Sequence, residues 1–154
     1  MSYMLQKSPF VLPALFVAVL LNAGCTQDNT SSAITDANNS NVKRLSNLYQ
    51  SFASRNGWHG PKDEAEFREF IRTFPAHRLQ LLGVDPEKLD ALFTSERDGQ
   101  PFQVKYEVNS GLGAVIPVVF EQQGVDGTRA VGFTDGSVQV VDESQSRQLF
   151  DEAH

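Results

Sequence analysis

Cysteine and positive charge are both scarce in this chain. Cys25 is the one cysteine among 154 residues, so no second thiol exists for an intramolecular disulfide. Lys and Arg number 13 against 19 Asp and Glu, which gives a formal net charge of −6. An acidic chain without a stretch of interleaved basic and aromatic residues argues against nucleic acid and against electrostatic binding to anionic lipid. We therefore expect no nucleic-acid partner.

Long apolar runs are also missing. The longest, residues 10–21, has about 12 residues and is interrupted by Pro13, whereas a membrane-spanning helix needs about 20. Lys7 precedes this run and small residues follow it. That order is typical of a secretory signal, which has a positive start, a short apolar core and a small-residue cleavage site. The N-terminus is therefore predicted to direct export.

The residues around the cysteine resemble a bacterial lipoprotein signal. The segment reads Leu21-Asn22-Ala23-Gly24-Cys25, and its last three residues match the lipid-attachment pattern, while Asn22 stands where leucine is usual. The resemblance implies that residues 1–24 are removed and that Cys25 is lipidated, which would anchor the protein to a membrane of the cell envelope, facing the periplasm or the exterior. Stable anchoring requires more than one acyl chain. The alternatives are an ordinary secreted protein with one incidental cysteine, a buried thiol in a core, and a protein that is not exported.

After the cysteine, residues 25–41 are predicted to be a flexible tether. Residues 26–41 consist almost wholly of Ser, Thr, Asn and Asp, with one isolated Ile34 and no apolar period. The remaining residues 42–154 are long enough for one domain with a single core.

The first half of that domain has helical periodicity. Asn41 is predicted to cap a helix that runs to about Arg55, and Pro61 to begin a second helix with acidic residues in its first turn. Shorter helices are expected at residues 78–82 and after Asp85. Inward-facing positions are predicted at Val42, Leu45, Leu48, Tyr49, Phe52, Phe67, Phe70, Ile71, Phe74, Leu89, Leu92 and Phe93.

The second half changes to strand periodicity. Strands are predicted at residues 102–108, 116–121, 129–133 and 137–141, and the second is continuously apolar and therefore central. Asp135-Gly136 predicts a two-residue hairpin turn with a positive φ at Gly136, and Asp142 caps a short final helix. Strands joined by short turns pair as an antiparallel meander. The fold class is therefore α+β, with the N-terminal helices packed on one face of a four-stranded sheet.

Several short motifs resemble the prepilin-like domains of planctomycete-type bacteria and the short secreted lipoproteins of the same bacteria. The final hairpin carries Phe133-Thr134-Asp135-Gly136-Ser137-Val138, and upstream lie His59-Gly60-Pro61, Glu66-Phe67 and an Arg97-Asp98-Gly99 turn that leads to Phe102. The resemblance implies a pilin-like head on a lipid anchor with no activity attached. The apolar segment lies before Cys25 and would be lost, so filament assembly is not supported.

Candidate chemistry is sparse. Gly111-Leu112-Gly113 lacks the third glycine of a dinucleotide fingerprint. The Asp-Gly pairs at Asp98, Asp126 and Asp135 offer carboxylates, but no calcium-loop pattern accompanies them, and Asp-Gly is a common turn dipeptide. Ser137 follows a hairpin glycine and does not lie at a strand-to-helix elbow. No metal, cofactor or catalytic residue is therefore expected.

Histidine offers the one enzymatic alternative. His59, in Trp58-His59-Gly60, would need Arg97 and Asp98 beside it in a concave pocket to form a catalytic site. The sequence favours a non-enzymatic envelope lipoprotein that serves as an interaction or structural module. Its partners would be the membrane, through Cys25, and an envelope protein. The alternatives are a periplasmic module that binds a small ligand or an ion, and an enzyme that uses His59.

Overall fold

The computed structural model describes residues 39–111 and 113–153, so the predicted signal, Cys25 and residues 26–38 of the predicted tether lie outside it. Four helices precede four strands and a last helix in the described residues. These are α1 (Asn41–Arg55), α2 (Glu64–Arg72), α3 (Ala76–Leu81), α4 (Leu89–Leu92), β1 (Gln103–Val104), β2 (Pro117–Phe120), β3 (Thr128–Phe133), β4 (Val138–Asp142) and α5 (Glu143–Glu152).

The predicted α+β class and the antiparallel meander are confirmed. The strand order is β1-β2-β3-β4, and every neighbouring pair is antiparallel. All four residues of β2 are buried, as expected for a central strand with a continuously apolar sequence. The first and last helices pack against this sheet.

The larger core lies between α1 and the sheet. Leu45 and Tyr49 of α1 and Phe67 and Ile71 of α2 are each 0% exposed. Within each helix the two residues are four positions apart and therefore lie on one helix face, which explains why the periodic pattern located these helices. The rings of Tyr49 and Phe67 meet edge to face with centroids 5.7 Å apart, which joins α1 to α2.

The C-terminal helix, for which no face of the sheet was predicted, covers the face opposite to α1. A side chain on Gly132 would point at Ser46 of α1. Its neighbours in β3, Val131 and Phe133, face the other way, because side chains alternate along a strand. They belong to a second, smaller cluster against which Leu149 and Phe150 of α5 pack.

Two predicted helix starts are wrong. Asn41 is the first helical residue and Ser40 holds the cap position; the Asn41 backbone N–H donates to both carboxylate oxygens of Glu96, at 3.1 and 3.0 Å. The second helix begins at Glu64 instead of Pro61. Asp63 accepts from the Glu66 backbone N–H at 2.8 Å, which makes it the cap.

The first predicted strand is much shorter than residues 102–108. Only Gln103 and Val104 pair with β2 as a strand. Glu107 has a φ of 58°, which interrupts extended backbone, and its N–H donates to the Pro61 carbonyl at 2.8 Å. The chain therefore leaves the sheet to bond with the segment between α1 and α2, a partner that periodicity does not reveal.

The hairpin between β3 and β4 has a three-residue loop in place of the predicted two. The Gly136 N–H donates to the Phe133 carbonyl at 2.9 Å, and the Phe133 N–H donates to the Ser137 carbonyl at 3.0 Å. This is a turn followed by a left-handed residue, and the predicted positive φ of Gly136 is confirmed at 78°. A Cβ here would also lie 2.5 Å from Asn47 Oδ1.

We expect Gly136→Val to lower the free energy of unfolding by about 1–3 kcal/mol, through left-handed backbone strain and the contact with Asn47. Urea denaturation of both chains measures the loss. Gly99→Val is the control, because Gly99 also has a positive φ of 70° but no atom within 4 Å of its Cβ position. Equal stability of wild type and Gly136→Val would contradict a structural role for this turn.

Candidate functional site

The structure separates the three residues of the predicted polar cluster. Arg97 and Asp98 lie together in the loop between α4 and β1. His59 is exposed in the loop after α1, where it forms an isolated bridge with Asn109. It lines a shallow, open depression with Asn56, Lys62 and Glu107 that includes neither Arg97 nor Asp98. The convergence that a His59-based catalytic site requires is therefore absent from the described residues.

Arg97 instead binds a buried carboxylate that the sequence analysis missed. Its Nη1 donates to Glu121 Oε2 at 2.7 Å, and its Nη2 donates to Thr128 Oγ1 at 3.1 Å. Glu121 is 1% exposed and also accepts from Ser95 Oγ and from the Ala130 backbone N–H, each at 2.7 Å. A buried carboxylate is tolerated only with such partners. The one feature of the sequence that could have indicated the buried Glu121 is its position, as a charged residue directly after a continuously apolar strand.

Asp98 also joins the loop before β1 to the loop after β2. Its Oδ2 accepts from the backbone N–H groups of Gln123 and Gly124, at 3.0 and 2.8 Å, and its Oδ1 accepts from Gln100 at 2.9 Å. Partial burial raises the pKa of this carboxyl, but the hydrogen bonds outweigh burial and hold the pKa below its ordinary value of 3.8. Arg97 and Asp98 thus fasten the loop before β1 to the loop between β2 and β3.

Asp98→Asn is expected to reduce stability at neutral pH, because the amide weakens the acceptor for three N–H groups. A carboxyl with a lowered folded pKa stabilises the fold above its unfolded pKa, and this contribution is lost as the pH falls through about 4 and below. The difference in melting temperature between wild type and variant should therefore shrink from pH 7 to pH 3. Exposed Glu87→Gln is the control. A pH-independent difference would contradict this assignment.

The remaining candidates of the sequence analysis are turn residues. Asp135 accepts from the Ser137 backbone N–H at 2.9 Å and from Ser137 Oγ at 2.6 Å. Gly111 and Gly113 have positive φ in a turn between β1 and β2. No group of three or more His, Cys, Asp or Glu residues that could hold a metal ion occurs in the described ranges.

A cavity of about 160 Å³ lies between the sheet and α5. Its walls are Gln103, Phe120, Glu121, Arg129, Ser146, Arg147, Phe150 and Asp151. The side chain of Arg129 donates one hydrogen bond among the described residues, from Nη2 to Glu143 Oε1 at 3.3 Å, and its Nε is buried without a partner there. The cavity combines two aromatic rings with an incompletely bonded guanidinium, a combination that no motif in the sequence indicates.

No protein-family model, curated protein or solved structure matches this chain. In the part of the chain that the structure describes, no helix has the length and apolar character needed to cross a membrane. The resemblance to prepilin-like lipoproteins therefore stays a prediction from the residues that carry it.

Proposed function

We propose that this protein is a non-enzymatic lipoprotein of the cell envelope, anchored to a membrane through lipidated Cys25. Its pilin-like domain would serve as an interaction or structural module, with an envelope protein as its partner. The observation that carries the proposal is the segment Leu21-Asn22-Ala23-Gly24-Cys25 after a short apolar run, because this order of residues is typical of a lipid-attachment signal.

The state of the polar side chains supports a non-enzymatic role. The guanidinium of Arg97 and the carboxylates of Asp98 and Glu121 are engaged in contacts that join loops. Asp135 is engaged by its own turn. A general acid or base has to face a space that a substrate can enter and be free to exchange a proton. Arg97 and Asp98 hold loops together instead, and Glu121, although it lines the cavity beside α5, has both oxygens engaged by Ser95, Arg97 and Ala130.

The start of the folded domain supports its use as a tethered head. Asn41 Nδ2 donates to the carbonyls of Ala91 and Thr94, at 2.7 and 3.0 Å, while Glu96 binds the Asn41 backbone N–H. The first helical residue is thereby bonded to the segment around α4. A mechanical force applied through an anchor at Cys25 would act first on these hydrogen bonds of Asn41 and only then on the hydrophobic core.

Cys25→Ser tests the anchor. We expect the variant to incorporate no labelled fatty acid and to move from the membrane fraction to the soluble fraction of cells that express the full chain, because serine has no thiol to acylate. Asn22→Leu is the matched control: it restores the usual residue of the pattern and should be lipidated at least as completely as wild type. A wild type without acyl label, together with a Cys25→Ser variant retained in the membrane, would refute the proposal.

Binding of a small ligand is the second candidate function, and the cavity beside α5 is the observation that favours it. This site differs from the Asp-Gly turns that the sequence suggested for such a role, because its walls come from strands and α5.

A further inference from the structure

Charged side chains of both signs line the cavity between the sheet and α5. Arg129 and Arg147 both donate to the same oxygen of Glu143, at 3.3 and 2.5 Å, so one carboxylate serves two guanidinium groups. Glu121 is already paired with Arg97 at 2.7 Å. Asp151 and Arg147, on the wall, are both exposed, and solvent screens both charges. Of the charged side chains that line the cavity, Arg129 is therefore the largely buried one with the weakest pairing, and a further negative charge beside it is favourable.

Arg129 is the side chain with which a negatively charged ligand would pair. Its side chain is only 19% exposed, and its Nε is buried away from water without a partner among the described residues. A guanidinium has five N–H donors, and this one makes a single, long hydrogen bond among the described residues. A half-buried charged group with so few partners lowers stability unless an acceptor reaches it. Ser146, 2% exposed, lines the same cavity and has a hydroxyl that can donate to the same acceptor.

The other walls are apolar. The rings of Phe120 and Phe150 pack edge to face with centroids 5.1 Å apart, and both line the cavity. Lys105 Nζ lies 3.8 Å from the Phe150 ring centroid, which adds a further positive charge near this wall. Because an apolar cavity of about 150 Å³ can hold benzene, this cavity of about 160 Å³ has room for a ligand of about six non-hydrogen atoms.

We propose that this cavity binds a small monocarboxylate. The carboxylate pairs with the guanidinium of Arg129 and accepts from Ser146, and a short alkyl chain lies against Phe120 and Phe150. Charge-assisted bonds to a planar guanidinium suit a carboxylate, and the aromatic wall favours an alkyl chain over a fully hydrated inorganic anion. The site does not involve Cys25, so the failure of this proposal and the failure of the proposed membrane anchoring would be distinguishable.

Titration of the purified full chain with butyrate, followed by the amide resonances of α5 and β3 in NMR spectra, tests the site. We expect saturable shifts centred on Arg129 and Ser146, with a dissociation constant on the order of millimolar for so small a ligand. Butyramide, which has the same shape without the charge, should bind at least about 10-fold more weakly. Sulfate, which has the charge without the alkyl chain, should also bind more weakly.

Substitutions of the residues that line the cavity test which side chain the carboxylate contacts. Arg129→Gln should weaken butyrate binding at least about 10-fold, whereas Arg147→Gln, at a side chain 69% exposed, should change it less than about 3-fold. If Arg129→Gln does not fold, Ser146→Val serves instead, because it removes the hydroxyl and narrows the cavity. Three results would overturn the proposal: no saturable shifts with butyrate, equal binding of butyramide, or shifts that centre elsewhere in the domain.

Discussion

Glu121→Ala is expected to lower the free energy of unfolding by about 3–5 kcal/mol. The change removes the acceptor for Ser95 Oγ, for the Ala130 backbone N–H and for Arg97, whose side chain is 13% exposed. A buried guanidinium without its carboxylate keeps its desolvation cost and loses the interaction that offset it. Since small domains are stable by about 5–15 kcal/mol, this one change removes a large share of the total.

A double-mutant cycle separates this pair from general disruption of the core. Arg97→Met and Glu121→Gln are measured singly and together by urea denaturation. We expect the double variant to be less destabilised than the sum of the single variants by about 1–3 kcal/mol, because replacing both members removes the unpaired charge. Additivity within about 0.5 kcal/mol would show that the two residues do not depend on each other.

Gly132→Val is expected to destabilise the domain by about 3 kcal/mol through overpacking. A Cβ at this position would lie 1.9 Å from Ser46 Oγ and 3.2 Å from Val42 Cγ2, so α1 would have to move away from β3. The cost is steric, since Gly132 is not among the glycines with positive φ. Thermal unfolding of the full chain measures the change.

Ser46→Gly provides the compensating variant. Adding it to Gly132→Ala removes the hydroxyl that the new methyl group would meet, and the double variant should recover part of the stability that Gly132→Ala loses. Gly99→Ala is the control for backbone effects alone, because no atom lies within 4 Å of its Cβ position. A melting temperature for Gly132→Val within about 2 °C of wild type would mean that α1 does not pack on this strand.

Elements that depend on local sequence were predicted closely. The apolar spacing located α1 and β2, and Asp142 was identified as the cap of the last helix, where its side chain accepts from the Gln145 backbone N–H at 2.8 Å. The turn glycine Gly136 was found because Asp-Gly between two alternating segments is a strong local signal. Each of these features is decided by residues within a few positions of one another.

Features that depend on distant partners were missed. Asn41 was predicted as a cap because its own side chain suits that position, yet the acceptor for its N–H is Glu96, 55 residues away. The strand at residues 102–108 ends early because Glu107 bonds to Pro61. Arg97 was grouped with His59 in one candidate site, while its partner is Glu121. No periodic pattern encodes such pairs.

The sequence by itself determined the α+β class and the antiparallel order of the strands, because periodicity and turn chemistry are local properties of the chain. The lipid-attachment signal at Cys25 stays a prediction from a short motif. The tertiary structure alone decided that α5 covers the second face of the sheet and that Glu121 is buried against Arg97. It also decided that Arg129 borders a cavity with Phe120 and Phe150. These are contacts between residues far apart in the chain, and only packing brings them together.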